Sequence, residues 1–271
     1  MLDIPYANRP GTRPHLTSLD LYVPQTGSGL PVVMWVHGGT WRAGDKGNIG
    51  DKPQAFTDAG YLLVSVNYRL SPAVQHPAHV EDVAASLAWI HDHIDRYGGD
   101  PARIFLIGHS AGAHLVALVA TDERYLAVHG LDLSLIAGVV CLDGLYEIPA
   151  RMQQGSLAAT LNLPPVFGND PEEWWDASPV AHASPGKGMP PFLVVSAGWW
   201  GAAQQQADGL ASALIAAGVC VDRHHAADKD HAGLNRDLGK AGDPLTSQVL
   251  GFLGRVQSVK HHFQELSLHT R

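Results

Sequence analysis

Apolar residues fall along the chain in short, nearly unbroken runs separated by polar turn residues. The runs Pro31 to Val36, Tyr61 to Asn67, Arg103 to Ile107, Ile136 to Leu142, Phe192 to Ser196 and Val219 to Arg223 are rich in Val, Ile and Leu. Continuous apolarity over about five to eight residues predicts strands buried on both faces, as in a parallel sheet. Between these runs the spacing changes to three and four. Val83, Leu87, Ile90 and Ile94 predict a helix from Val80 to Tyr97, stopped by Gly98-Gly99 with Asp100-Pro101 beyond. Ala113 to Ala120 and Asp208 to Ala217 behave alike, the second stopped by Gly218. Residues 15 to 24 read as a short strand pair that gives the sheet an antiparallel edge. Strands alternating with helices imply right-handed crossovers, hence a doubly wound, mostly parallel α/β sheet.

The stretch from Asp143 to Pro191 breaks the alternation. It carries Pro149, Pro164, Pro165, Pro171, Pro179, Pro185, Pro190 and Pro191, so it is too long for an ordinary connection, while Phe167, Trp174 and Trp175 make it too apolar for a free linker. The chain therefore reads as a single domain over residues 1–271 with an inserted cap, residues 143–191. The cap is expected to lie over the carboxyl ends of the strands, where ligands bind in such sheets.

Composition narrows the partners. The 271 residues are 45% hydrophobic and 16% charged, enough for one core, and 18 Lys plus Arg against 26 Asp plus Glu give a formal net charge of −8. A mildly acidic chain is repelled by phosphate backbones and anionic lipid, which argues against nucleic acid and membrane as partners. No apolar run approaches the roughly 20 residues of a membrane span, and Met1 to Pro14 has no stretch of signal-peptide length. Cys141 and Cys220 both sit in strand-like runs and are expected to be buried thiols. A cytoplasmic location is the expectation from these features.

Gly108-His109-Ser110-Ala111-Gly112 joins a predicted strand to a predicted helix. That setting is the nucleophile elbow, in which small flanking residues let neighbouring backbone approach a serine on a sharp turn and a helix N-terminus faces the developing charge. His37-Gly38-Gly39-Thr40-Trp41 follows the strand Pro31 to Val36. Two glycines there can turn backbone amides into the cleft, so Gly38, Gly39 and Ala111 are candidate oxyanion donors. Of 16 histidines, His231 lies where the base of such a site belongs, beyond the last strand and the turn Asp228-Lys229-Asp230. His109 is expected to point away from Ser110. The acid is less direct. The loop after Phe192 to Ser196 has no carboxylate, which leaves Asp143, at the end of the preceding strand, and Asp208, well along a helix. Asp143 is the assignment, against its plainer reading as a turn residue before Gly144.

Trp41, Tyr146, Trp199 and Trp200 are candidate pocket residues, whose aromatic area suits a small or aryl substrate. His224-His225 and His261-His262 lack a Cys or carboxylate at ligand spacing, so no metal site is expected. No Gly-rich phosphate loop occurs and no cofactor is implied.

HGGTW at 37 to 41, NYRLSP at 67 to 72, YGGDPARI at 97 to 104, GHSAGAHL at 108 to 115 and DHAGLNRDLG at 230 to 239 together resemble the α/β-hydrolase superfamily. The likeness runs from about Pro31 to about Phe252 and is nearest to carboxylesterases of the hormone-sensitive-lipase and feruloyl-esterase-like groups and to arylformamidases. It implies Ser110 as nucleophile, His231 as general base, and Gly38, Gly39 and Ala111 as oxyanion donors. It implies a serine hydrolase acting on small carboxylic esters through an acyl-enzyme, or on an activated formamide with the same machinery. The family's acid would fall near Trp199 to Ala202, where this chain has none. That departure implies a relocated acid, a Ser-His dyad or a lapsed enzyme. It also admits a reading from another class, a non-catalytic small-molecule binding protein on a hydrolase scaffold, like the plant gibberellin receptors.

Overall fold

The computed structural model describes residues 1–153, 163–198 and 201–268, with side chains of the last helix as far as Ser258. Eight strands form one sheet: β1 (Ile4–Pro5), β2 (Ser18–Tyr22), β3 (Leu30–Val36), β4 (Leu62–Val66), β5 (Gly99–His109), β6 (Ile136–Leu142), β7 (Phe192–Ala197) and β8 (Val221–Ala226). Their spatial order is β1-β2-β4-β3-β5-β6-β7-β8. All neighbours from β4 through β8 pair in parallel, and only β2 runs antiparallel, against β4 and β1.

The antiparallel edge differs in detail from the strand pair expected at 15–24. Pro14 opens a single 3-10 turn, Pro14–Thr17, so only Ser18–Tyr22 is extended there. The second strand of the pair comes from Ile4–Pro5. Cys220 also departs from expectation. β8 begins at Val221, two residues beyond the expected start at Val219, and Cys220 is exposed, whereas Cys141 inside β6 is buried.

Period-two alternation divides the strands between two apolar layers. Val32, Met34, Val36, Leu106, Val139 and Val194 face the helices Ala78–His93 and Ala111–Thr121, while Val33, Trp35, Phe105, Ile107, Val140 and Val195 face Phe56 and Phe252. Each such side chain removed from water contributes about 1.5–3 kcal/mol. All eleven residues of Ala111–Thr121 are buried. Gly112 makes that possible, since a Cβ there would stand 2.1 Å from the Val36 carbonyl oxygen.

Within residues 143–191 the described parts include the short helices Ile148–Gln153, Pro164–Phe167, Pro171–Asp176 and Pro179–His182. All four carry proline in the first turn, where its fixed φ and missing N–H cost nothing. Val166 and Phe167 are buried in the larger apolar layer. Among the described residues no helix is long and apolar enough to cross a membrane, and no group of His, Cys, Asp and Glu could hold a metal ion.

Candidate active site

Ser110 stands between β5 and its helix at φ 56, ψ −118, a left-handed conformation that a non-glycine residue adopts only when its surroundings hold it. The holding contacts are its amide, which donates to the Leu142 carbonyl at 2.9 Å, and the close approach of Gly108 to Gly112, where a Cβ on Gly108 would lie 2.3 Å from the Gly112 oxygen. The turn aims the hydroxyl out of the sheet at the N-terminus of the helix Ala111–Thr121, where unpaired amides favour negative charge.

His231 opens the helix His231–Arg236, capped by the Asp230 side chain, which accepts the Gly233 amide at 2.6 Å. Its Nε2 lies 3.0 Å from Ser110 Oγ and its Nδ1 2.6 Å from Asp143 Oδ2. A carboxylate accepts, so Nδ1 carries the ring proton and Nε2 is left with a lone pair toward the serine. The Asp143 side chain is 1% exposed and the His231 side chain 43%. The acid is thus sealed behind an imidazole that still reaches the cleft. A carboxylate so deep is tolerated only when its oxygens are engaged. Oδ1 receives the Ala197 amide at 3.0 Å while Oδ2 receives the imidazole.

Asp143 sits at φ 54, with its own amide donating to Val195 O at 2.9 Å. Tyr146 completes this turn and does not line the cleft, contrary to expectation. Its ring is fully buried and its hydroxyl accepts the Gly144 amide at 2.9 Å. The Gln206 side chain then accepts the amides of Tyr146 and Glu147 at 2.7 and 2.8 Å. Asp208, the other candidate acid, pairs with Arg223 on the surface, while the His231 ring nitrogens meet Asp143 and Ser110. His109 makes no bond to the Ser110 hydroxyl. Its ring packs against His231 with centroids 4.6 Å apart, and Nε2 donates to the His231 carbonyl at 2.8 Å. Burial, reinforced by the neighbouring imidazole, pushes its pKa down to about 4, so it stays a neutral donor.

The Gly38-Gly39 turn faces this group from β3. A Cβ on Gly38 would stand 2.9 Å from His109 and 3.0 Å from Ser110, and Gly39, at φ 125, leaves only 2.1 Å between a would-be Cβ and the Ala43 carbonyl. The preceding His37 is held neutral by burial and stacks on Tyr68 at 4.5 Å, while the Tyr68 hydroxyl donates to the His37 carbonyl at 3.0 Å.

A cleft of about 240 Å³ opens over Ser110, a little below the roughly 300–1,000 Å³ of most ligand pockets. Trp41, a candidate pocket residue, and Ala111, a candidate oxyanion donor, line it together with Thr40 of the HGGTW turn and with Leu145, Arg151, Leu163, Ala202, Ala203 and Gln206, which carry no motif in the sequence. Trp199 and Trp200 lie outside the described residues. Leu145, Arg151 and Leu163 come from the proline-rich segment and have no motif around them. Gln206 was findable only as a buried polar residue on a helix.

The BD-FAE family model matches residues 19–198, from the second residue of β2 through β7 and including the serine turn. Among curated relatives, the chain is 34% identical over 176 residues to a probable carboxylic ester hydrolase, LipM, of Mycobacterium tuberculosis, covering 61% of this chain and 40% of LipM. It is 42% identical over 131 residues to the esterase LipQ of the same organism, covering 45% of this chain and 29% of LipQ. The chain thus spans less than half the length of these relatives. Among solved structures, esterase B of Lactobacillus rhamnosis superposes with a TM-score of 0.81 at 21% identity over 98% of this chain and 88% of that one. EstE1, a thermostable carboxylesterase cloned from a metagenomic library, superposes with a TM-score of 0.72 at 26% identity, over 89% and 83% respectively. With the serine turn, the parallel sheet and the family match in agreement, the chain belongs to the BD-FAE family and has the α/β-hydrolase fold.

Proposed function

We propose that this protein hydrolyses small carboxylic esters through an acyl-enzyme, with Ser110 as nucleophile, His231 as general base and Asp143 as the acid that orients it. The observation that carries the reading is the hydrogen-bond chain from Asp143 through His231 to Ser110, at 2.6 and 3.0 Å, opening on one cleft. His231 Nε2 takes the Ser110 proton as Oγ attacks the ester carbonyl carbon. The carbonyl oxygen becomes an oxyanion held by the amides of Gly38, Gly39 and Ala111. Collapse of this intermediate breaks the ester C–O bond, and the imidazolium gives its proton to the departing alcohol. Water, deprotonated by His231, then releases the acid and restores Ser110. Asp143 keeps the imidazole in the tautomer that accepts from Ser110 and stabilises its cation. The inserted segment supplies Leu145, Arg151 and Leu163 as a partial cover.

The relatives' names support ester chemistry, and the placement of a carboxylate against His231 weakens the reading as a binding protein, which rested on a missing acid. A fluorophosphonate should add covalently to Ser110, detected by intact mass, and p-nitrophenyl acetate and butyrate should be turned over. N-formyl-kynurenine, assayed beside them, tests the formamide reading. Absence of both adduct and ester turnover would overturn the proposal.

A further inference from the structure

Behind the cleft wall formed by Trp41, three rings meet edge to face. Trp41 and His114 lie 5.1 Å apart at 88°, Trp41 and Phe167 4.8 Å at 77°, and His114 and Phe167 5.4 Å at 69°. They come from three places: the turn after β3, the helix that starts after Ser110, and the inserted segment. Polar bonds run through the group in one direction. The Trp41 indole N–H can only donate, and it meets His114 Nδ1 at 3.2 Å. The ring proton of His114 is therefore on Nε2, which donates to the Ala177 carbonyl at 2.7 Å. Ala177 ends the inserted helix Pro171–Asp176. His114 is completely buried, and burial pushes its pKa down to about 3. The neutral ring, with one donor and one acceptor, satisfies both neighbours, whereas a protonated ring would set two donors against each other at Trp41.

We propose that His114 is a positioning residue that limits the length of the substrate's acyl chain, by holding the Trp41 indole in place between the serine helix and the inserted segment. The proposal rests on the ester-hydrolase reading above. Trp41 and Thr40 stand at φ 58 and 52, a conformation bulky residues keep only when contacts enforce it. Trp41 stands two residues beyond Gly39, on the turn whose amides are proposed to hold the carbonyl oxygen, and its ring lines the cleft beside that site; in the proposal this is the wall that the acyl chain meets. The His114 amide donates to the Ser110 carbonyl at 3.1 Å. One helical turn thus fixes the spacing between the reacting hydroxyl and the group that anchors the wall. Without an acceptor at His114, the buried indole N–H must turn to another, and the wall moves with it.

The two bonds of the imidazole can be cut separately. An Asn side chain places its amide near the position of Nδ1, and a Gln side chain near that of Nε2. His114→Asn keeps an acceptor for Trp41 and gives up the bond to Ala177, while His114→Gln does the reverse. The measurement is kcat/KM on p-nitrophenyl acetate, butyrate, hexanoate and octanoate. A single methylene against a fitted wall is worth about tenfold or more. His114→Gln is therefore expected to raise the octanoate-to-acetate ratio at least about tenfold, and His114→Asn to leave it within about threefold of wild type. An equal change in both variants, or none in either, would overturn the proposal, because a role confined to stability lowers the melting temperature without altering the ratio. If His114→Gln does not fold, Trp41→Phe removes the indole N–H from the other side and is expected to shift the ratio the same way, an unchanged ratio being equally fatal. Failure of the hydrolase reading looks different, since wild type would then neither turn over an ester nor take up phosphonate. In that case calorimetric affinities of acetate, butyrate and octanoate for wild type and His114→Gln read the same wall, and an identical chain-length dependence overturns it.

Discussion

The Asp143 carboxylate meets His231 from the end of β6, the strand beside the one that carries Ser110, and not from the loop after β7. If it orients the base, Asp143→Asn should lower kcat/KM at least about 100-fold, a lenient threshold against the roughly 10⁴ lost when the acid of a working triad is neutralised. Asn can still accept the Ala197 amide, so the thermal midpoint should hardly move. Asp208→Asn, which touches only the exposed pair with Arg223, should change activity less than about twofold, as surface substitutions do. A loss under about tenfold for Asp143→Asn, measured on one ester at several pH values, would remove Asp143 from the mechanism.

Ser110→Ala should reduce kcat by about 10⁴ to 10⁶ and abolish phosphonate labelling. The backbone contacts that hold the turn involve the amide of residue 110 and its glycine neighbours, not the hydroxyl. The melting temperature is therefore expected to stay within a few degrees of wild type. More than a tenth of wild-type turnover would point to another nucleophile.

Gly39→Val carries two penalties at once. Its φ of 125 disfavours any side chain, and a Cβ would stand 2.1 Å from the Ala43 carbonyl. The turn must open, and with it the proposed amide donors, at a cost of about 3 kcal/mol in transition-state stabilisation. Urea midpoint and kcat should fall together. An unchanged kcat would take this turn out of the oxyanion site.

The acyl preference should be for short chains. A cleft of about 240 Å³ bounded by Trp41, Leu145 and Leu163 has little room beyond a few carbons. If p-nitrophenyl decanoate outperforms butyrate in kcat/KM, the cleft does not bound the acyl group.

Acid should unfold the protein earlier than its carboxylates alone would dictate. His79, His109 and His114 are buried, and burial pushes their pKa values down to about 3, 4 and 3. In the unfolded chain such rings titrate near about 6.5. Between roughly pH 6.5 and 4 the unfolded state therefore binds protons that the folded state refuses, so stability rises with pH and is lost as pH falls through this window. Each ring contributes up to about 1.4 kcal/mol per pH unit. Urea midpoints measured from pH 7.5 down to 5 should decline, and a constant midpoint would contradict neutral buried imidazoles.

The sheet was legible because apolar runs report burial on two faces, and the serine turn because glycine spacing reports a steric need. Asp143 was reachable from strand order, since a carboxylate at the end of β6 lies beside the serine strand. Tyr146 is not legible in this way, because an aromatic residue near the site can face inward as well as outward, and only the Gly144 amide beneath its hydroxyl decides which. His114 carries no signal of its own in the sequence, although it lies one helical turn beyond Ser110. Its meaning depends on Trp41 and Ala177, residues distant in the chain. Cys220 was misplaced by a strand boundary that shifted toward Val221.

β8 is an outermost strand, and the loop beyond it delivers His231 to partners 121 and 88 residues earlier in the chain. Contacts of such separation are late events in folding, because loop closure must precede any reward. The interior strands that bury Trp35 can form before this edge docks. During refolding, then, intrinsic tryptophan emission should recover ahead of the proposed ester turnover, whose return would serve as a clock for the last piece of the sheet to arrive.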